Sequence, residues 1–304
     1  MDSLEGFVSY DHLAMDALRK MGWQVEEVSW RQQAVDWNQY DIVLIRTPWD
    51  YQQDPEAFLA VLEQIENSSA RLENSLELVR WNLNKRYLKE LEEKGALIVP
   101  TLWDQAFSIK SFRLWTTSFP EREIIVKPLV SANADFTYRL PSTMSDEQLA
   151  ELAPIFARRP FMVQPFMPSV ISEGEFSVFF FGENYSHTIL KTPKPADFRV
   201  QEEHGGIIRA VEPAPLLLDT ARKVRTLISP KPLYSRIDLV RTEKNQFALM
   251  EVELIEPSLY FSYSEPSAAL FAKTVADWMQ KGLAHTERVN AKDRYSSMAT
   301  KMKL

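Results

Sequence analysis

Three carboxylates with strand-like spacing are the residues in this sequence that most clearly could do chemistry. Asp238 stands two residues after Arg236 in an apolar stretch, and a second stretch carries Glu251 and Glu253 in the same alternation. Side chains two apart on a strand share a face, so pairing of the stretches would bring the three acids together. Hard divalent cations such as Mg²⁺, which also binds phosphates, suit such an oxygen cluster. The alternative is a solvated polar face in which Arg236 pairs the acids.

Three lysines stand where an anionic ligand could reach them. Lys127 and Lys191 each end an apolar stretch, and Lys85 lies near the start of a predicted helix. A lysine that ends a buried strand is poorly placed for bulk solvent, so a phosphate partner is the functional interpretation. Each of the three could also be an ordinary surface lysine whose stem lies along apolar surface.

Two segments add guanidinium groups. Arg199 precedes the adjacent glycines Gly205 and Gly206 in a polar segment, and its planar fork suits phosphate or carboxylate. Arg46 and Asp50, with the aromatic residues Trp49 and Tyr51, follow an apolar run, at the end of a strand where open α/β sheets bind ligands. Together they suit a small zwitterionic ligand. A mobile surface loop and a capped loop with a packed tryptophan are the respective alternatives.

Helix and strand signals alternate through the chain, which is typical of an α/β fold. Helices are predicted at residues 12–21, 55–65, 83–94, 145–157, 216–228 and 266–283. Strands are predicted at residues 23–30, 41–45, 96–99, 121–128, 161–166, 175–181, 186–191, 234–240 and 246–254. A doubly wound sheet should begin with a strand, yet no apolar run precedes the first helix. We therefore expect the first strand to be missing or the lobe to be incomplete. The polar segment 192–215 is too long for a plain connection and is a candidate functional loop.

Composition excludes several classes of site. The 304 residues include only 8 glycines and contain no G-x-G-x-x-G, Walker-type or G-x-S-x-G motif, so any nucleotide would be held mainly by side chains. The absence of cysteine excludes disulfides, thiolate zinc sites and cysteine nucleophiles. A net charge of -7 argues against a general nucleic-acid or anionic-membrane surface. With no signal peptide and no long apolar run, we expect a cytoplasmic protein that binds neither nucleic acid nor membrane.

Taken in order, these segments resemble the ATP-grasp superfamily, in its glutathione-synthetase-like branch, over residues 1–280. Residues 46–50 look like the family's Arg-x-x-Pro-Pro-Phe-Asp segment, and Lys127 with Pro128 looks like its Lys-Pro strand end. The family's metal-binding Asp…Glu-x-Asn pattern is similar to Asp238, Glu251 and Glu253. Residues 1–4 look like the segment that follows the family's first strand, which agrees with a missing strand.

The resemblance implies an ATP-grasp fold of α/β class with α+β lobes. A Rossmann-like substrate lobe would span residues 1–82, a small lid lobe 83–165 and a large lobe 166–284, followed by a polar tail at 285–304. ATP would be the cofactor, with Mg²⁺ or alternatively Mn²⁺. The partners would be ATP and a small amino-acid-like substrate, and self-association of the chain is left open.

The resemblance also implies roles for individual residues. ATP would be bound by Lys85, Lys127, Gln164, Pro165, Phe166, Met167 and Glu175. The metal ligands would be Asp238, Glu251 and Glu253. The catalytic residues would be Lys191, Arg199 and Arg236. The substrate would be bound by Arg46, Asp50, Gln201, Gly205, Gly206 and Ser258.

Departures from the family pattern bear on the substrate. The loop at 129–134 lacks the family's glycines, Glu253 replaces an Asn and Ser177 replaces an Arg. These changes disfavour glutathione synthesis, and several segments look more like the O-ureidoserine cyclo-ligase type of cycloserine biosynthesis. We expect an ATP-dependent carboxylate–amine ligase that acts through an acyl phosphate. A non-catalytic nucleotide-binding regulator and an ATP-grasp kinase are the alternatives.

Overall fold

Residues 1–120 and 122–281 are described by the computed structural model, and they form a mixed α/β fold with three sheets. The first part of the chain contains a two-stranded parallel sheet of β1 and β2 flanked by helices. Its elements are α1 (Asp11–Lys20), β1 (Ile42–Leu44), α2 (Pro55–Glu66), β2 (Arg71–Glu73), α3 (Leu76–Asn82) and α4 (Tyr87–Glu93).

Helix α2 shows how the sequence sets these elements. The Asp54 side chain accepts a hydrogen bond from the Ala57 amide at 3.1 Å, and Pro55 occupies the first turn, where its missing N–H costs nothing. Phe58, Leu62 and Ile65 then recur at helical spacing and are buried in the core beside the small sheet.

A four-stranded antiparallel sheet follows, with strand order β3-β6-β4-β5. Its strands are β3 (Leu102–Asp104), β4 (Ile124–Pro128), β5 (Tyr138–Leu140) and β6 (Phe161–Pro165). Helices α5 (Ile109–Ser118) and α6 (Asp146–Phe156) pack against it, and α6 begins with a capping box in which Ser145 and Gln148 bond each other's backbone amides.

The third sheet has five antiparallel strands in the order β11-β10-β7-β8-β9. After a short helix α7 (Ser169–Ser172), its elements are β7 (Glu175–Phe181), β8 (Asn184–Thr192), β9 (Ile207–Ala210), α8 (Pro215–Leu227), β10 (Tyr234–Arg241) and β11 (Phe247–Glu253). A last helix, α9, runs over residues 267–281. None of the helices in the described ranges is long and apolar enough to cross a bilayer.

Two predicted strands are wrong. Residues 23–30 form no strand, and their tryptophans and valines pack into two different clusters instead of onto one sheet face. Residues 96–99 form a single bridge, Ile98 opposite Leu249, before Pro100, whose missing amide cannot extend the ladder. Helix α4 is shorter than the predicted 83–94, and the predicted polar tail lies outside the described residues.

Seven elements were not predicted, namely β2, α3, β3, α5, β5, α7 and β9. The short strand β2 and helix α3 lie in the segment between two predicted helices, and β9 lies inside the polar segment 192–215. β9 is an edge strand with mostly exposed or half-buried side chains, so its sequence carries little apolar alternation. The domain limits at 82, 165 and 284 stay a prediction.

Candidate functional site

A cavity of about 190 Å³ lies between the four-stranded and five-stranded sheets. Its walls include side chains from β4 and β6 on one side and from β7, β8, β10 and β11 on the other. Most of the predicted site residues line it: Lys85, Lys127, Gln164, Phe166, Met167, Glu175, Lys191, Arg199, Gln201, Arg236, Asp238, Glu251, Glu253 and Ser258. The fold therefore gathers residues that lie up to 173 positions apart, from Lys85 to Ser258.

The β10–β11 hairpin places the alternating charged residues on one face, as their spacing predicted. Asp238 lies opposite Glu251, and Arg236 lies opposite Glu253. The Arg236 guanidinium donates to both Asp238 oxygens at 2.9–3.1 Å and also bonds Glu253. Ser177 Oγ donates a further 2.5 Å hydrogen bond to Asp238. Burial opposes ionisation of Asp238, but its cationic neighbours outweigh burial and lower its pKa to about 2.

Lys191 joins strand β7 to strand β10 electrostatically. Its Nζ lies 2.5 Å from Glu175 Oε1 and 3.4 Å from Asp238 Oδ2, and only 3% of the residue is exposed. Burial favours the neutral amine, but the two carboxylates outweigh it and raise the pKa of Lys191. Burial raises the pKa of Glu175. The lysine is therefore a charged, fixed group on the wall of the cavity.

Lys85 reaches the cavity because its neighbours fasten the α3–α4 segment to the edge of β11. Asn82 exchanges hydrogen bonds with the Val252 carbonyl at 2.8 Å and the Leu254 amide at 2.9 Å. The Tyr87 hydroxyl bonds the Val252 backbone at 2.9 and 3.0 Å. These side chains cover an otherwise open strand edge. Between them, Lys85 Nζ lies 2.7 Å from Glu251 Oε1 and 3.0 Å from the Ser131 carbonyl.

Lys127 differs from the other two lysines in its surroundings. It is half-buried near the end of β4, and burial lowers the pKa of its ammonium. Across the described parts of the chain, no carboxylate lies within ion-pair distance of it. A desolvated ammonium without a protein counter-ion is a favourable site for an anionic ligand such as a phosphate.

The predicted metal ligands are near one another, but each is turned towards a cation. Within residues 1–120 and 122–281, no group of three His, Asp or Glu side chains has the geometry to hold a metal. Asp238 and Glu253 face Arg236, and Glu251 faces Lys85. The donor chemistry itself suits Mg²⁺, since carboxylate oxygens occupy facing positions on adjacent strands. The metal assignment therefore stays a prediction.

Several predicted residues do not line the cavity. Pro165 ends β6 opposite Ile124, and Asp50 accepts hydrogen bonds from Trp30 and Arg31, both at 2.8 Å. Arg46 donates to Asp11 at 3.0 Å and to the Pro257 carbonyl at 2.8 Å, beside a second cavity of about 240 Å³. Their predicted roles remain predictions.

The glycine pair beyond Arg199 lies outside the cavity lining and has a local backbone role. A Cβ at Gly206 would lie 2.0 Å from the Val200 carbonyl oxygen, so only glycine allows this close approach. Gly205 has a φ of +82°, in the left-handed region. Arg199 itself lines the cavity while bonding Asp197 at 2.9 and 3.1 Å.

Sequence reasoning missed Glu256, which lies beside Trp49 and Tyr51, the two aromatic residues of the segment that was predicted to bind a zwitterion. All three line the cavity, and Trp49 Nε1 donates a 2.8 Å hydrogen bond to the Glu256 carbonyl. Burial, with Glu253 nearby, raises the pKa of Glu256 to about 8. Burial also raises the pKa of Glu253 to about 7. The position of Glu256 three residues after the Glu-x-Glu strand is the signal that could have drawn attention to it.

Comparisons with known proteins decide the family. Residues 1–74 match the family described as the N-terminal domain of D-cycloserine synthetase DcsG. The chain is 31% identical over 278 residues to the cycloserine biosynthesis protein DcsG of Streptomyces lavendulae. This match covers 86% of this chain and 91% of that protein. The chain belongs to the DcsG family. It superposes on the crystal structure of D-cycloserine synthetase DcsG with a TM-score of 0.80 and 28% identity, over 88% of this chain and 94% of the other.

More distant structures share the fold. The ATP-grasp ligase PsnB, complexed with its minimal precursor, gives a TM-score of 0.63 at 15% identity over 90% of this chain and 96% of PsnB. A RimK domain ATP-grasp protein from Sphaerobacter thermophilus DSM 20745 gives 0.61 at 13% identity, over 88% and 95% of the two chains. The predicted ATP-grasp fold is confirmed, and this DcsG-family member is an ATP-grasp ligase. Enzymes of this class generally use ATP and Mg²⁺.

Proposed function

We propose that this DcsG-family ligase activates the carboxylate of a small amino-acid-like substrate as an acyl phosphate and joins it to an amine. The observation behind it is that the three lysines and the three acids predicted to bind phosphate and metal, from five distant segments, line one cavity between two sheets. The sequence has no glycine-rich loop to hold phosphates, so a bound nucleotide needs positively charged side chains near its phosphates. The lysines of this cavity supply that charge. The names of the DcsG relatives support a cycloserine-type product.

The residues of the cavity divide into three sets in this proposal. Lys85 and Lys127 hold the phosphates of ATP, residues 164–167 receive the adenine, and Glu175 contacts the ribose. Asp238, Glu251 and Glu253 hold Mg²⁺, with Mn²⁺ as an alternative. The metal ion supplies positive charge that lowers the repulsion between phosphate oxygens and the incoming carboxylate.

The chain's own residues act on the transferring phosphoryl group. A substrate carboxylate oxygen forms a bond to the γ-phosphorus while the bond to the β–γ bridging oxygen breaks, which releases ADP. Arg199 and Arg236 stabilise the charge on the transferring group. The amine then attacks the acyl carbon, inorganic phosphate leaves with the bonding electrons, and the amine loses a proton. The segment 192–210 covers the intermediate and excludes water.

Release of ADP measured over a panel of amino acids and amines, including O-ureidoserine, tests this proposal. We expect ADP to form only when a carboxylate and an accessible amine are both supplied, on one molecule or on two, together with free phosphate and a condensed or cyclised product. A stable phosphorylated product, identified by mass spectrometry, would instead indicate a kinase. No substrate-dependent ADP across the panel would contradict the ligase proposal.

A further inference from the structure

The buried and half-buried acids that line the cavity are paired with protein cations, with one exception. Glu175 pairs with Lys191, Glu251 with Lys85, and Glu253 with Arg236. Glu256 is only 9% exposed, and no lysine, arginine or histidine of the described residues lies within ion-pair distance of its carboxylate. A buried carboxylate without a cation is costly unless it is protonated or a ligand supplies the charge.

The surroundings of Glu256 are those of a cation-binding subsite. Its backbone is fixed by the 2.8 Å hydrogen bond from the Trp49 indole, so the side chain is held at the cavity wall. The Tyr51 hydroxyl faces the carboxylate, and Trp49 and Tyr51 line the same cavity as Glu256. An aromatic wall beside a carboxylate is the chemistry that recognises an ammonium group, through charge and through the electron-rich ring faces.

We propose that Glu256, with Tyr51 and Trp49, binds the protonated amino group of the substrate. The inference rests on the proposed function, since it requires an amino-acid-like substrate in this cavity. It adds an orientation: the ammonium group lies against Glu256, and the carboxylate of the same molecule is left to face the lysine-lined part of the cavity. The cavity thus has one buried acid for a cationic ligand and one half-buried lysine, Lys127, for an anionic one.

Binding calorimetry tests the subsite without requiring turnover. The two probes are O-ureidoserine and the same molecule with hydrogen in place of its α-amino group. We expect the wild-type protein to bind the amino compound at least about 10-fold more tightly, because the other compound lacks the charged hydrogen-bonding partner of Glu256. Glu256→Gln should remove this preference while leaving the affinity for ADP within about twofold.

Matched variants separate the subsite from a structural role. Glu151→Gln, an exposed acid on α6, should keep the full preference for the amino compound. If Glu256→Gln does not fold, Tyr51→Phe should still lower the preference several-fold. A wild-type protein that binds both probes equally, or binds neither, overturns the subsite, and so does an unchanged preference in Glu256→Gln and Tyr51→Phe. Failure of the ligase proposal appears separately, as an absence of ADP release from the panel.

Discussion

Lys85 and Glu251 form a 2.7 Å ion pair that joins the segment before α4 to strand β11. The lysine is the residue expected to hold phosphate, and the glutamate is the residue expected to hold metal. Burial opposes the ionised form of Glu251, but Lys85 and Lys127 outweigh it and lower its pKa. The two lysines therefore keep Glu251 ionised beside the buried side chain of Lys85.

Breaking this pair from one side should cost more than removing both charges. Lys85→Met leaves Glu251 without its nearest cation. Glu251→Gln leaves Lys85, which is only 7% exposed, without its carboxylate partner. We expect the double variant to lose about 1–2 kcal/mol less free energy of unfolding than the sum of the losses in the two single variants. Denaturant unfolding of the four proteins at pH 7 measures the coupling. Strictly additive free energies of unfolding would contradict an energetically significant pair.

Replacement of Lys127 should abolish ATP turnover without unfolding the protein. The ammonium is half-buried with no carboxylate at ion-pair distance, so Lys127→Met removes a desolvated charge and should leave the melting temperature unchanged or raised. ADP release should fall at least about 100-fold, because a positive charge on the transferring phosphates is lost. Lys110→Met, at an exposed position on α5, is the control and should keep full activity. Unchanged ATP turnover in Lys127→Met would disprove the nucleotide assignment.

His187 should make the protein less stable in mild acid. Burial lowers the pKa of His187 to about 4, while its ring stacks on Phe179 at 4.2 Å and its Nε2 donates to the Leu259 carbonyl at 3.1 Å. The unfolded chain then binds a proton near pH 6.5 that the folded chain does not, so stability falls as pH drops from about 6.5 to 4.

Urea unfolding at pH 7 and pH 5 measures this effect. His187→Gln retains a donor towards Leu259 and should lose about 1–2 kcal/mol less than the wild type between the two pH values. His12→Gln, on the exposed side of α1, should behave like the wild type. Equal losses for His187→Gln and the wild type would show that His187 does not titrate in this range.

Asn74 should be a strong determinant of stability. It is fully buried, and its side chain donates to the Tyr234 and Leu254 carbonyls at 3.0 and 2.7 Å and accepts from the Leu233 amide at 2.7 Å. Asn74→Ala leaves three buried backbone groups unpaired and should lower the free energy of unfolding by at least about 3 kcal/mol. Asn67→Ala, at the exposed end of α2, should cost below about 1 kcal/mol. Similar losses in both variants would contradict this account.

Local patterns in the sequence predicted the part of the site that a single hairpin builds. The two-residue spacing of Arg236 with Asp238, and of Glu251 with Glu253, predicted a shared face, and the strands pair in the corresponding register. The same alternation predicted β7 over residues 175–181 and its hairpin partner β8. These features depend on residues close in sequence, so periodicity and turn chemistry are sufficient to predict them.

Long-range partners could not be predicted in the same way. The contact of Lys85 with Glu251 depends on Asn82 and Tyr87 bonding the backbone of Val252, and no local pattern specifies which strand edge a helix covers.

The same reason explains why Glu256 was missed, because its importance comes from Trp49 and Tyr51 about 200 residues earlier. The family resemblance supplied the order of the site residues, whereas the structure supplies their pairing.

Transfer of ¹⁸O from the substrate carboxylate to inorganic phosphate tests whether this cavity activates a carboxylate as an acyl phosphate. The measurement uses the wild-type protein with ATP, Mg²⁺ and the carboxylate substrate that gives the most ADP release, labelled with ¹⁸O in its carboxyl group. Formation and breakdown of an acyl phosphate predict one ¹⁸O atom in the phosphate for each ADP formed, detected by mass spectrometry. Phosphate that contains no label, while ADP and product accumulate, would contradict carboxylate activation in this cavity.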